Sequence, residues 1–163
     1  MVNKQPVSFK KARRILRFIE DMGLKPRENE FKEVYVVYDE ESDLKFFIFT
    51  VSNCKIVLIL RDRIYFPFIE SINCFLDVPS VSIDEGAAKA VLRGADLMAP
   101  GINHLDSFDR DRIVCIRYGD TCLAIGISLY SSSEIAGMNR GKVIKVIHYK
   151  GDKIWRKIKN IVY

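Results

Sequence analysis

The stretch SIDEGAAKAVLRGADLMAPGI, from Ser82 to Ile102, decides the fold of this 163-residue chain. Asp84 can accept hydrogen bonds at the start of a helix, and Gly94 can end that helix in a left-handed conformation. Between them, Ala88, Val91 and Leu92 recur at helical spacing and form a face that can be buried. The stretch therefore predicts a short helix from Glu85 to Arg93, with a cap before its first residue and a glycine after its last.

A tight loop is expected after this helix. Pro100 and Gly101 fit the two central positions of a type II turn, the second of which needs a positive φ. Few bulky side chains stand in the loop, so its backbone N–H groups are expected to lie bare beside Lys89 and Arg93. Backbone amides and cations together can hold phosphate groups. The glycines can equally serve only as a helix stop and a turn, and the residues alone leave both interpretations open.

Three motifs occur in a fixed order along the second half of the chain: Asp-x-Gly-Ala (Asp84, Gly86, Ala87), Gly-Ala-Asp-x-Met-x-Pro-Gly (Gly94 to Gly101) and His-x-x-Gly-Asp-x-x-Trp (His148 to Trp155). With them, nearly all of residues 78 to 157 resembles the PUA domain, named for pseudouridine synthases and archaeosine transglycosylases. The resemblance implies that the helix and the loop after it contact RNA, often with help from the final strand. It implies RNA contacts for Lys89, Arg93, Gly94, Ala95, Asp96, Met98, Pro100, Gly101 and Ile102.

Strands dominate the rest of the second half. A short strand, Val81 to Ile83, precedes the helix, and a polar loop, Asn103 to Arg112, follows the strand-and-turn unit Ala95 to Ile102. A closing hairpin is expected at Lys150 to Asp152, and the order is typical of a small mixed barrel. The other predicted strands are Ile113 to Tyr118, Thr121 to Tyr130, Lys142 to Tyr149 and Lys153 to Ile158.

The first half predicts one helix and a small antiparallel sheet. Apolar residues recur at spacings of three and four from Ser8 to Met22, where Ser8 can cap a helix and Gly23 can end it. Pro67 is expected at a sheet edge, because it cannot donate to a ladder. Glu70 to Phe75 is expected to be a short helix. The predicted strands are Glu33 to Asp39, Leu44 to Val51, Lys55 to Leu60 and Ile64 to Phe68.

The fold class that follows is an α+β N-terminal domain, residues 1–77, before a mostly-β pseudo-barrel of the PUA type, residues 78–163. Charge is unevenly spread between them: 13 basic and 12 acidic side chains in the first, 13 and 9 in the second. The second domain therefore carries most of the net positive charge that would attract an anionic partner.

A cationic ridge is predicted on the N-terminal helix. Its four basic residues are spaced at i, i+3, i+4 and i+7, on the face away from the apolar stripe. A solvated face is the simpler interpretation, and an auxiliary phosphate-binding face is the alternative. The ridge consists of Lys10, Arg13, Arg14 and Arg17.

Neither a cofactor nor a metal is expected. The four cysteines stand singly in apolar surroundings without a nearby His, which predicts buried thiols. Simple pairing across the turn at Gly119 and Asp120 would set Cys115 and Cys122 about 7 Å apart, too far for an easy disulfide. The other two cysteines are Cys54 and Cys74.

The pattern also argues against an enzyme. His104 and His148 are isolated from any nucleophile, and His148 is expected to be a hydrogen-bonded structural residue. The aromatic residues of the first sheet are expected to pack in the core rather than to stack on bases. They are Phe46, Phe47, Phe49, Tyr65 and Phe66.

The two-domain layout is similar to that of the archaeal relatives of the malignant T-cell amplified sequence translation factors, in which a pre-PUA domain precedes a PUA domain. The resemblance implies a monomeric, non-catalytic protein that binds tRNA or ribosomal RNA on the small ribosomal subunit in initiation, reinitiation or recycling, with a translation-factor partner. Two alternatives stay open: an accessory factor of ribosome biogenesis or RNA modification, and a protein–protein adaptor. No apolar run approaches the roughly 18 residues of a membrane span, and charges interrupt the N-terminus before a signal peptide could form. A cytoplasmic location is therefore expected.

Overall fold

An antiparallel sheet of five strands organises the N-terminal unit, Met1–Asp77, of the computed structural model, which describes residues 1–163. The strands of this unit are β1 (Val2–Pro6), β2 (Lys25–Pro26), β3 (Glu33–Asp39), β4 (Leu44–Thr50), β5 (Lys55–Arg61), β6 (Ile64–Pro67) and β7 (Phe75–Leu76). The sheet order is β1-β3-β4-β5-β6, and β2 and β7 form a separate two-stranded ribbon. The four long strands predicted from the sequence are confirmed.

Helix α1 (Phe9–Asp21) has the ends that the sequence predicts. The Ser8 hydroxyl accepts a hydrogen bond from the Lys11 N–H at 3.2 Å, and Gly23 has a φ of +92° just beyond the last turn. Pro67 lies at the end of β6, which is an edge strand. Ile69–Cys74 forms a 3-10 helix, close to the short helix that was predicted there.

Aromatic side chains fill the core of this unit, as predicted. Phe46, Phe47, Phe49 and Phe66 are buried, and Tyr65 is half-buried against Phe18 of α1. The two rings pack edge to face with their centroids 5.3 Å apart, a preferred aromatic geometry. These rings are therefore structural, and they are not available as a platform for stacked bases.

Strand β1 was not predicted. All five of its residues are exposed, so no alternation of polar and apolar residues marks it in the sequence. It pairs with β3 from Val2 opposite Asp39 to Pro6 opposite Tyr35, and it leaves its outer edge open.

The C-terminal unit, Val78–Tyr163, is built on a six-stranded sheet in the order β10-β8-β11-β12-β13-β9. Its edge strands, β9 and β10, are joined only by a 3-10 helix, Ala99–Gly101. So short a link requires the sheet to curl until its two edges approach each other. The elements are β8 (Ser80–Ile83), α2 (Glu85–Val91), β9 (Leu97–Met98), β10 (Ile102–Leu105), β11 (Ile113–Tyr118), β12 (Thr121–Ser128), α3 (Ser132–Ala136), β13 (Lys142–Tyr149) and α4 (Lys153–Val162).

The prediction of a final strand and a closing hairpin is wrong, because Lys153 to Ile158 lies within helix α4. The Asp152 carboxylate caps this helix by accepting from the Trp155 N–H at 2.6 Å, and it also accepts from the Tyr149 N–H at 2.9 Å. Its Oδ2 lies 2.8 Å from Nδ1 of the fully buried His148. His148 is thus a hydrogen-bonded structural residue, as predicted.

Two further elements were missed. Strand β10 occupies the start of the segment predicted to be a polar loop, and it pairs with β8 across a register shift between Ile102 and His104. Helix α3 begins with a capping box between Ser131 and Glu134, a signal that the sequence does carry.

The expectation of free thiols is also wrong. Cys54 is joined to Cys74 and Cys115 to Cys122, with Cα atoms 5.9 Å apart in both pairs, a separation that suits a disulfide. Simple pairing misjudged the second pair because a register shift between Ile116 and Arg117 changes the spacing of β11 against β12.

None of the helices combines the length and the apolar character that crossing a membrane would require.

The Asp152→Ala variant should lose about 2–4 kcal/mol of unfolding free energy, because it removes a helix cap and leaves a buried histidine without its carboxylate. Urea unfolding measures this loss, with Asp120→Ala, a change in an exposed turn, as the matched control. Burial alone would raise the pKa of the Asp152 carboxyl, but hydrogen bonds from His148, Trp155 and Tyr149 hold the pKa below its usual value.

The sign of that pKa shift fixes the pH dependence of the loss. A carboxyl with a lowered folded pKa stabilises fully above its unfolded pKa of about 3.9, and the contribution disappears as pH falls through the folded value. The difference between wild type and Asp152→Ala should therefore be constant near neutrality and shrink below about pH 4. A difference that is absent at pH 7 would contradict the assigned role.

Candidate nucleic-acid interface

Helix α2 and the loop after it form the centre of the candidate site. Asp84 caps the helix, since its Oδ1 accepts from the Ala87 N–H at 2.8 Å, and Gly94 has a φ of +90° just beyond the helix end. Both predicted stops are confirmed. The positive φ favours glycine here, and a β-carbon would meet the Tyr149 ring only at an ordinary contact distance of 3.4 Å.

The loop runs alongside strand β13 in the opposite direction. Gly94 lies against Tyr149, the Asp96 carboxylate accepts from the Val146 N–H at 2.8 Å, and Met98 pairs with Lys142. Residues at the end of α2 are thereby brought beside residues of the last strand. The site is therefore a composite of two segments that are about 50 residues apart in the sequence.

Asp96 organises the charges at this junction. Its Oδ2 lies 2.8 Å from Nζ of Lys142, and the positive charge of Lys145 also stabilises the carboxylate. Burial by itself would raise the pKa of Asp96, but the hydrogen bonds from Lys142 and from the Val146 N–H, together with the two lysine charges, lower it. The carboxylate is thus ionised at neutral pH, and it positions Lys142 beside the loop.

The sequence did not single out Lys142 and Lys145. No local pattern connects them to Asp96, because the contact depends on how the sheet curls. The one pointer was the family tendency for the final strand to assist the loop. They add two cations from β13 to the candidate interface, beside Asp96.

The two predicted cations of α2 differ in their pairing. Nζ of Lys89 lies 3.4 Å from the carboxylate of Glu85, one helical turn earlier, and both side chains are mostly exposed. Arg93 is exposed at the end of the helix and has no ion-pair partner. An exposed pair such as Lys89 and Glu85 is worth only about 0–1 kcal/mol, so Lys89 can also exchange its partner for a phosphate.

The prediction of bare amide groups is wrong for the start of the loop. The N–H groups of Arg93, Gly94 and Ala95 donate to carbonyl groups of α2 at distances of 2.9–3.1 Å. The Ala99 N–H donates to the Gly141 carbonyl at 2.9 Å. An anion that approaches these positions therefore meets cationic side chains, and not free peptide donors.

The type II turn that was predicted at Pro100 and Gly101 is wrong. Ala99–Gly101 forms a 3-10 helix, and Gly101 is not among the residues with a positive φ, so no type II turn occurs. A β-carbon at Gly101 would lie 2.6 Å from the Ala87 Cβ. Its carbonyl also accepts from the Asp84 N–H at 3.0 Å, so Gly101 permits a close approach of the chain to α2.

Most of the predicted contact residues are open to solvent. The ridge on α1 is also fully exposed: Lys10, Arg13, Arg14 and Arg17 all lie on the surface of the N-terminal unit. In the C-terminal unit, Asp96, Gly101 and Ile102 are half-buried. The exposed members of the predicted site are Lys89, Arg93, Gly94, Ala95, Met98 and Pro100.

Comparison with known proteins identifies the fold. A family model described as the PUA domain matches residues 79–150. Translation machinery-associated protein 20 of Schizosaccharomyces pombe is 30% identical over 125 residues, which cover 70% of this chain and 67% of that protein. The chain belongs to this family of PUA-domain proteins.

Other relatives agree with this assignment. Malignant T-cell-amplified sequence 1 of Rattus norvegicus is 30% identical over 115 residues, covering 66% of this chain and 63% of that protein. The crystal structure of a hypothetical protein from the archaeon Pyrococcus horikoshii is 29% identical, covers 95% of this chain and 99% of its own, and superposes with a TM-score of 0.74. The family resemblance predicted from the sequence is confirmed. The chain spans about half the length, 48%, of several other curated relatives that it matches.

The close approach inside the PUA domain leads to a stability prediction. Gly101→Ala should cost about 1–3 kcal/mol of unfolding free energy, because the added methyl group overpacks the contact with Ala87. In the double variant Ala87→Gly/Gly101→Ala the clashing atom is absent, so most of that loss should be recovered. Thermal unfolding of the two single variants and the double variant measures the coupling. Additive losses would show that Gly101 is needed for a different reason.

Proposed function

We propose that the PUA domain binds RNA through the surface formed by the end of α2, the loop after it and the adjoining part of β13. One observation carries the proposal: Lys142 and Lys145 of β13 act on Asp96 in the loop that leaves α2, and the end of α2 before that loop carries Lys89 and Arg93. Clustered lysine and arginine side chains are the electrostatic signature of phosphate binding.

Side chains, more than backbone donors, make the phosphate contacts in this proposal. Arg93 has no internal ion pair, and the exposed pair of Lys89 with Glu85 costs little to open. Lys142 is held by Asp96 in a defined position, so less conformational entropy is lost when it binds a phosphate. Met98, which is 48% exposed, offers apolar contact to a sugar or a base at the same surface.

The RNA is, in this proposal, a tRNA or a ribosomal RNA on the small ribosomal subunit, and the protein acts without catalysis in translation initiation, reinitiation or recycling in the cytoplasm. Family membership supports it, since the Schizosaccharomyces relative is named for its association with the translation machinery. The N-terminal unit is proposed to be the pre-PUA domain that meets a translation-factor partner. The four basic residues of the α1 ridge are proposed to contribute auxiliary phosphate contacts.

The decisive experiment reverses two cations of the interface. Arg93→Glu/Lys145→Glu should weaken binding to bulk tRNA by at least about tenfold, a change of about 1.4 kcal/mol. It should also flatten the slope of log affinity against log salt by about 2, since each lost phosphate contact removes about one. Fluorescence anisotropy across a series of salt concentrations measures both quantities.

The matched control is Lys32→Glu/Lys25→Glu, which reverses two exposed lysines of the N-terminal unit outside the ridge and changes the net charge by the same amount. The control should retain most of the affinity. Equal losses in the two variants would mean that only net charge matters, and unchanged binding by the interface variant would refute the proposed site.

The ridge has its own test. Arg13→Glu/Arg17→Glu leaves the buried face of α1 intact, because both side chains are exposed. If the ridge adds phosphate contacts, the variant should lose a few-fold in affinity for bulk tRNA and about one to two units of salt slope. Circular dichroism checks that the helix persists, and an unchanged salt slope would assign the ridge to solvent alone.

A protein–protein adaptor is the second candidate function, and the open outer edge of β1 favours it. An unpaired strand edge can accept a strand from another protein. An adaptor of this kind does not require RNA, so the absence of salt-dependent tRNA binding in the wild type would favour this function over the first.

A further inference from the structure

A pocket of about 350 Å³ opens on the PUA domain where the chain turns from the 3-10 helix into β10. This volume lies in the range of roughly 300–1,000 Å³ that is typical of sites for small organic ligands. Ala99 and Ile102, which belong to the loop of the proposed interface, also line the pocket, so the two surfaces adjoin.

The accessible lining of the pocket is mostly polar and includes a smaller apolar wall. Ile102, Ile135 and Met138 supply the wall, Ile135 being buried and the other two half-buried. Asn103 and His104 are exposed at the rim. An amide and an imidazole can both donate and accept hydrogen bonds. Such a site suits a flat group with apolar faces and a polar edge, which is the character of a nucleobase.

The rim residues are held in place by the fold. The register shift between Ile102 and His104 takes Asn103 out of the regular pairing of β10 with β8. Nε2 of His104 lies 3.4 Å from Asp106, whose other oxygen accepts from the N–H and the hydroxyl of Ser80 at 2.8 and 2.9 Å. The Nδ1 atom of His104 is therefore left for a ligand.

Two cations lie close in the sequence to segments that line the pocket. Met138 lines the wall, and the exposed Arg140 follows it two residues later. The Gly141 carbonyl accepts from the N–H of Ala99, another lining residue, at 2.9 Å, and Lys142 follows. A nucleotide with its base in the pocket would thus have cations near its phosphate.

We propose that this pocket receives one unstacked nucleobase of the RNA bound at the interface, with Met138 and Ile102 against its faces and with Asn103 and His104 at its edge. The proposal rests on the proposed function, because it assumes that an RNA strand lies on the adjoining surface. Bases that are splayed out of a strand and bound by face and edge contacts are the usual basis of sequence-selective RNA recognition.

The first arm of the test uses methyl NMR of the full chain with the four nucleoside 5′-monophosphates, AMP, GMP, CMP and UMP, as probes. The Met138 methyl signal should shift progressively at concentrations on the order of 1–10 mM, because a single base buries little area. Met22, at the end of α1, supplies the reference signal that should not move. At least one nucleotide should shift Met138 more than the others do, since the rim reads the base edge.

The second arm fills the pocket. Ala136→Trp places a large ring on an exposed lining residue of α3, and Ser133→Trp places the same ring on an exposed residue of the same helix outside the lining. Ala136→Trp should abolish the Met138 shift and lower the affinity for bulk tRNA by about fivefold, a small stacking contribution. Ser133→Trp should leave both unchanged. His104→Ala, which alters only an exposed side chain, should reduce the difference between the nucleotides.

Each result decides a separate claim. If wild type shows no salt-dependent binding of bulk tRNA, the proposed function fails. If wild type binds tRNA but no nucleotide shifts Met138, or Ala136→Trp and Ser133→Trp bind tRNA equally well, the pocket proposal fails while the proposed function stands.

Discussion

Residue 101 must lack a side chain for the chain to cross helix α2, because a β-carbon there would lie 2.6 Å from that of Ala87. This close approach lets three residues, Ala99–Gly101, connect the two edge strands β9 and β10. The sheet is therefore curled, and β13 is brought beside the loop that leaves α2. Hydrogen bonds from the Asp84 and Ala99 N–H groups fix the crossing on both sides. The interface and the pocket both depend on this short connection, although Gly101 itself carries no chemistry.

Some polar groups of the loop make hydrogen bonds within the protein, and others stay exposed to solvent. Backbone N–H groups at the end of α2 are used by the helix itself, and the Asp96 carboxylate is used to hold β13. What remains for an anion is a set of long cationic side chains. The Lys89–Glu85 pair is exposed, so solvent screens it and little free energy is lost when a phosphate replaces the Glu85 carboxylate, whereas Lys142 keeps its contact with Asp96. The same screening would make the proposed RNA binding sensitive to salt.

Several local signals were predicted correctly from the sequence, but the caps of α3 and α4, which are also local, were missed, and contacts between distant residues could not be predicted. The caps Ser8 and Asp84 and the stops Gly23 and Gly94 act within a few residues, so their chemistry is visible in the sequence. Helix α4 was mistaken for a strand because Asp152, its cap, was assigned to a hairpin turn. Lys142 and Lys145 were not predicted, because only the curled sheet brings them to Asp96. Gly101 was found through the family motif, while the reason for it became clear only from its distance to Ala87.

Charge and shape have different tasks on such a surface. Contacts between cations and phosphates are the same for every sequence, so they can supply affinity and register but not selectivity. Selectivity needs a place where the edge of a base meets fixed donors and acceptors. In this PUA domain a register shift takes Asn103 of the edge strand β10 out of the regular pairing with β8. The next residue, His104, contacts Asp106, which in turn accepts a hydrogen bond from Ser80. If a base enters the pocket, selectivity among RNAs would come from this irregularity in β10, directly beyond the crossing at Gly101.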